Sequence, residues 1–168
     1  MGKTVKSMDK SLVQLNGESG WEVFDAPALV GETLRFVSGD QTGNRFRMHY
    51  FRDQDSNLVA RVWFGPVTEG PPEHAHGGSI AAVLDEVLGL AAWAAGHPIV
   101  VGNLNVSFRQ LLPIQTVVQV NTRLISAQGR KIVVHGEVCS LDGAVYATGE
   151  ALCIEITPAQ MAAGKNNL

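Results

Sequence analysis

Residues 69 to 86 read Glu-Gly-Pro-Pro-Glu-His-Ala-His-Gly-Gly-Ser-Ile-Ala-Ala-Val-Leu-Asp-Glu. A glycine-rich turn runs straight into a stretch of strong helix formers. The first amides of a helix lack intrahelical acceptors, and aligned peptide dipoles make that end electropositive. Such an end can hold a carbonyl oxygen that turns negative as a nucleophile adds to its carbon. Gly77 and Gly78 have no side chain to keep a substrate away from this backbone. Asp85 lies two turns further on, too deep to be a cap. Positions 78, 81, 82, 89 and 92 share its face and are Gly, Ala, Ala, Gly and Ala. A carboxylate framed by small residues has room beside it for a ligand. Glu86 points about 100° away around the helix, so the two acids do not form an acid–base couple on one chain.

Other roles compete for these residues. Asp85 could be half of an ion pair with an arginine from a neighbouring strand or subunit, and Glu86 suits such a structural pairing better still. His74 and His76 make an H-x-H pair, but no third ligand stands at a convincing spacing, so no metal is expected. His135 falls opposite Glu150 in the hairpin described below and reads as its cross-strand partner. No G-x-S-x-G elbow or Ser-His-Asp order is present, which removes the usual serine hydrolases.

The elements that must position these groups follow from periodicity. A helix is predicted from Ser79 to Ala95, with Gly96 at its C-terminal cap and Pro98 beyond. Its apolar residues occupy nearly every face, so protein should wrap it on most sides. Two β-like runs precede it, Arg45–Phe51 and Leu58–Phe64, followed by a Gly- and Pro-rich loop from Gly65 to Pro72. Four runs follow: Ile99–Phe108, Thr116–Ser126, Lys131–Ser140 and Ala144–Ile156. Short connections carrying Pro113, Gly129 and Asp142-Gly143 make these an antiparallel meander. The order predicts an α+β fold, one antiparallel sheet wrapped around one long central helix. Its bare edge is open to a second subunit.

The Asp142-Gly143 turn places Cys139 opposite Tyr146 and Cys153 opposite Ile132. At about 3.4 Å per residue the sulfurs stand roughly 20 Å apart, beyond disulfide reach. Both are expected as buried free thiols in a reducing compartment. Towards the N-terminus a short helix from Ser7 to Leu15 is expected, with Trp21, Phe24 and Leu29 as anchors. The chain divides into an N-terminal extension over 1–40, a main domain over 41–158 and a flexible tail over 159–168.

Composition sets the class. The 168 residues suit one domain. Apolar residues are 45% and charged residues 17%, a balance that fills a core rather than favouring disorder. A net charge of −3 without runs of one sign excludes nucleic acid as the main partner. The polar N-terminus offers no signal-peptide core. The apolar stretch from Ile80 to Ala95 carries two acids and is too short for a membrane span. A soluble, cytoplasmic protein is expected.

His76-Gly77-Gly78, six residues, then Asp85, with the strand Asn103-Leu-Asn-Val-Ser-Phe-Arg109 beyond the helix, closely resembles the PaaI-like hotdog thioesterases. The resemblance runs from about Leu58 to Ile156. The Glu-Gly-Pro-Pro-x-x-Ala before His76 is most similar to the branch with the mammalian thioesterase-superfamily proteins that act on fatty acyl-CoA. This resemblance implies hydrolysis of acyl-CoA to free acid and coenzyme A, in a homodimer or homotetramer with its active sites between subunits. Catalytic roles would fall to Gly77 as oxyanion N–H donor, His76 orienting the thioester carbonyl, and Asp85 as general base or nucleophile. Substrate binding would involve Gly78, Asn103 and Arg109, the last two on the strand that lines the coenzyme A channel in relatives, with Arg109 suited to a phosphate. No cofactor is implied, since coenzyme A is part of the substrate.

Two positions depart from the family pattern. Val101 stands where some relatives carry a Thr or Ser that positions water, and Gln110-Leu-Leu-Pro113 replaces an Arg-Pro-x-Pro. A thioester sulfur leaves more readily than an alkoxide, so one carboxylate and an oxyanion site can suffice. Two further readings stay open. One is a non-catalytic acyl-CoA binder or regulatory domain with Asp85 structural, which Val101 favours. The other is an enoyl-CoA hydratase, whose close Asp and His on the loop and helix start this chain lacks.

Overall fold

A computed structural model of the chain describes residues 15–26, 36–40, 42–157 and 159–160. The elements are β1 (Glu22–Val23), β2 (Phe46–Arg52), β3 (Leu58–Phe64), α1 (Gly77–Ala94), β4 (Ile99–Phe108), β5 (Thr116–Gln128), β6 (Lys131–Cys139) and β7 (Val145–Glu155). The strands form one antiparallel sheet in the order β1-β2-β3-β5-β6-β7-β4. The expected helix from Ser7 and the anchor Leu29 lie outside the described residues.

The predicted meander holds for β5, β6 and β7 but not for β4. That strand pairs with β7 at the far end of the sheet, Ile99 opposite Glu155 and Phe108 opposite Ala147. The chain then crosses back over residues 109–115, bridging His74 at Pro113, before β5 pairs with β3. A connection this short suggests a hairpin, whereas here it is a crossover across one end of the sheet. Within the β6–β7 hairpin, Cys153 faces Ile132 and His135 faces Glu150 as expected. Cys139 faces Val145 rather than Tyr146, because the register slips between Val138 and Cys139. A bulge of this kind sets one extra residue against the partner strand. Both cysteines are buried and free.

The sheet curls over α1 on one side. Leu58, Ala60, Val62 and Phe64 of β3 alternate towards the helix and meet Val83, Leu84, Val87 and Leu88, all within one core cluster. Leu84 and Leu88 rest on Gly149 and Gly136, which pair with each other across β6 and β7. A Cβ at Gly136 would come within 2.6 Å of Leu88 Cδ2 and 3.2 Å of the Asn121 carbonyl oxygen. Gly136→Ala should therefore cost about 1–3 kcal/mol as overpacking, read as a lower midpoint in chemical denaturation. No change would mean that the helix sits more loosely than its contacts indicate.

The expected wrapping on most sides is not met within one chain. The sheet-facing half of α1 is buried, while Gly78 and Asp85 are exposed and Ala81, Ala82 and Glu86 only partly covered. An all-round apolar helix shows that cover is needed, not which chain supplies it. The helix also begins at Gly77, two residues earlier than predicted, because His76 caps it. At 18 residues it is long and apolar enough, by length and composition alone, to cross a membrane. Buried core helices of soluble proteins meet the same test, and half of this one packs inside the fold.

Candidate active site

The loop entering α1 is fixed by backbone hydrogen bonds on both sides. His76 N–H donates to the Thr68 carbonyl at 2.7 Å and Ala75 N–H to the Leu112 carbonyl at 2.8 Å. Buried Thr68 turns its hydroxyl back to the Gly65 carbonyl. His76 is thus held from the 3₁₀ turn at Pro66–Thr68 and from the crossover after β4.

His76 closes the helix start itself. Its backbone is extended (φ −63°, ψ 137°), and its Nδ1 accepts the Gly78 N–H at 2.9 Å. A neutral imidazole that accepts at Nδ1 carries its proton on Nε2. The exposed ring therefore offers an outward N–H donor. Ser79 and Ile80 give their amides to the His76 carbonyl. Among the described residues, Gly77 N–H has no acceptor. It is the one amide of this turn left for a ligand.

Asp85 is exposed on the same side of α1, with no hydrogen bond or ion pair among the described residues. Partial burial, and then the neighbouring Glu86 carboxylate, push its carboxyl above the usual range. Glu86 itself is tied down. It accepts the Tyr50 hydroxyl at 2.5 Å and the Ser38 N–H at 3.4 Å, a structural role with a hydroxyl and an amide in place of the expected arginine. His135 keeps its cross-strand place opposite Glu150. His74 sets Nδ1 at 2.8 Å from the Pro72 carbonyl, which removes that nitrogen from any shared ligation with His76.

Cys153 is a neighbour of Asp85 that the sequence reading missed. It is fully buried on β7 opposite Val101. Burial, and then the Asp85 carboxylate, push its thiol up to about 11, so the sulfur stays protonated. Val101 leans towards Gly89, one turn past Asp85, with a methyl 3.6 Å from where a Cβ there would stand. Only the β4–β7 pairing reveals it, since a residue opposite Val101 shares its side of the sheet.

Asn103 and Arg109 lie apart from this cluster in the single chain. Gly102 forms a bulge in β4, beyond which Leu104 and Val106 pack on the core. The pleat turns Asn103 to the opposite face, where it is exposed. Arg109 is exposed just past Phe108, whose ring lies 3.2 Å from where a Gly77 Cβ would be. Gly78 and Asp85 therefore share one face of α1, with His76 and Gly77 at its start, about two turns before Asp85. Arg109 follows the end of β4, and Asn103 lies on the outer side of the edge strand. On the other flank of the helix start, a cleft of about 280 Å³ opens against Phe36, Phe46 and Val67.

Comparison with known proteins bears on this arrangement. Residues 73–147 match the family model described as the thioesterase superfamily. Acyl-coenzyme A thioesterase THEM4 of Mus musculus is 34% identical over 137 residues, covering 80% of this chain and 59% of that protein. The Bos taurus protein of the same name is 30% identical over 125 residues, 73% of this chain and 52% of that one. The chain thus spans about half the length of the curated relatives it matches. A crystal structure of a thioesterase superfamily protein superposes with a TM-score of 0.59 at 28% identity, covering 65% of this chain and 54% of that one. A Streptococcus pneumoniae thioesterase solved with coenzyme A gives 0.61 at 13% identity, covering 66% and 86%. The PaaI protein of E. coli gives 0.56 at 13%, covering 60% and 72%. The fold is the hotdog fold. Over residues 73–147 the chain matches the thioesterase superfamily, and its fold is the one that PaaI has.

Proposed function

We propose that this protein hydrolyses acyl-CoA thioesters to a free acid and coenzyme A. The observation that carries this reading is that an ionisable group without a structural partner among the described residues, Asp85, and an unused amide, Gly77 N–H, both lie on the uncovered side of α1. Eight residues of helix set them about 12 Å apart, so the carboxylate and the amide that meet one thioester would come from two copies of the chain. The thioester carbonyl oxygen would accept from Gly77 N–H and from His76 Nε2–H. Asp85 would take a proton from water as the water oxygen bonds to the carbonyl carbon. Collapse of that adduct breaks the C–S bond, and the thiolate leaves as coenzyme A, taking up the proton. Direct attack by Asp85, with hydrolysis of the resulting anhydride, uses the same geometry. No cofactor enters either route.

The remaining cover is assigned to a second copy. The outer edge of β4 pairs with no strand among the described residues, and Val100 and Phe108 along it are 51% and 55% exposed. A homodimer joined there, with a dimer of dimers as a larger assembly, would enclose Asp85 and bring Asn103 and Arg109 to the coenzyme A side. Buried free thiols fit a cytoplasmic setting.

Val101 favours a second reading, a non-catalytic acyl-CoA binder, because its methyl stands where a hydroxyl would otherwise order water. Thiol release measured over short, medium, long-chain and aromatic acyl-CoAs separates the two. Turnover of at least one member is expected. Tight binding with no release of thiol from any of them would leave only the binder.

A further inference from the structure

We propose that the cleft beside the helix start takes the acyl chain of the thioester, and that Phe36 is a specificity-determining wall of it. This rests on the thioesterase reading above. The cleft shares His76 and Gly78 with the carbonyl site and continues along α1 to Ala82, one turn before Asp85. Its floor is Phe46, 3% exposed, and its rims are Phe36 and Val67, 73% and 63% exposed. Large apolar surfaces left this open beside a polar site call for an apolar occupant.

The segment that presents Phe36 is anchored at both ends. Val37 is buried in the core, and Ser38 N–H reaches Glu86 on α1. Asp40 accepts the Arg45 N–H at 2.6 Å. Arg45 donates to the Phe36 carbonyl at 3.3 Å and sets its guanidinium 5.5 Å from the ring centroid. Arg45 and Glu69 both line the cleft, opposite charges that leave it no net charge for a phosphate, while Phe36, Phe46, Val67 and Ala82 give a hydrocarbon its surface. On the opposite flank Phe108 lies beside Gly77, and Arg109, next in the chain and exposed, would offer a cation to the phosphates of coenzyme A. The two halves of the substrate would part at Gly77. Phe36, Arg45, Phe46 and Val67 all precede the stretch matching the family model, so the wall lies outside that match.

The test is kcat/KM over butanoyl- to hexadecanoyl-CoA for the full chain, Phe36→Ala and Phe36→Leu. The dodecanoyl-to-butanoyl ratio, which is independent of the active fraction, should fall about tenfold or more in F36A, the scale of losing one apolar side-chain contact. It should recover in F36L. An unmoved ratio in F36A alongside normal turnover overturns the cleft assignment and leaves the thioesterase reading standing. If the wild type hydrolyses nothing, calorimetric binding of non-hydrolysable acyl-CoA thioethers of the same lengths decides. Chain-length-dependent affinity that F36A flattens keeps the assignment while catalysis falls; affinity indifferent to chain length rejects it.

Discussion

Asp85→Asn should lower acyl-CoA turnover by at least about 100-fold, the scale of removing one acid–base group, without lowering thermal stability. The second half follows from the sign of the linkage. Asp85 has its carboxyl raised in the folded state, by partial burial and then by Glu86. Between the unfolded and folded values the native chain holds more proton than the unfolded one. Stability therefore falls as pH rises through that window, and the ionised group is a small net cost at neutral pH. Asparagine removes the charge and so the cost. A structural ion pair would behave the opposite way, with turnover kept and the melting temperature reduced. The same shift sets the acid limb of the kcat/KM profile. Activity should decline as pH drops through a value above the ordinary 3.8, because only the ionised form can take a proton from water. Turnover surviving in the asparagine variant would end the mechanism and leave the fold untouched.

Gly77→Pro should cost about 10²–10³ in kcat, the range for deleting one oxyanion donor. Proline is well tolerated at the first helical position, where its missing N–H was unpaired in any case. His76 already has the extended backbone that a following proline demands. The substitution thus deletes the one free amide of the turn at little cost to the helix. Gly77→Ala is the matched control. It keeps the N–H and adds a methyl 3.2 Å from the Phe108 ring, which is exposed enough to yield. Crowding should raise KM in both variants, whereas loss of the donor should lower kcat in proline alone. Equal losses of kcat would mean that Gly77 N–H does not hold the oxyanion.

Much of this was legible because local rules decided it. Asp85 and its small-residue frame followed from helical spacing, and the pairs Ile132–Cys153 and His135–Glu150 from a tight turn and the period of a strand. The place of β4 did not follow. Seven residues after Phe108 look like a hairpin connection in composition, and only pairing with β7, over forty residues away, shows otherwise. The bare face of α1 was equally hidden, since apolarity demands cover without saying whose. His76 gave no capping signal because caps are recognised by Ser, Thr, Asp or Asn. Phe36 lay in a mixed segment without periodicity, and its importance comes from Glu86 and Arg45 holding it at the mouth of a cleft.

The seat of α1 on paired glycines reaches beyond packing. Leu84 and Leu88 bear on bare main chain, so no yielding layer lies beneath the turn that carries Asp85. Shifting that carboxylate against Val101 and Cys153 would require strands β6 and β7 to move bodily. Heating a preparation should therefore abolish turnover and cooperative structure at one temperature, with no earlier stage at which an intact fold has lost its alignment.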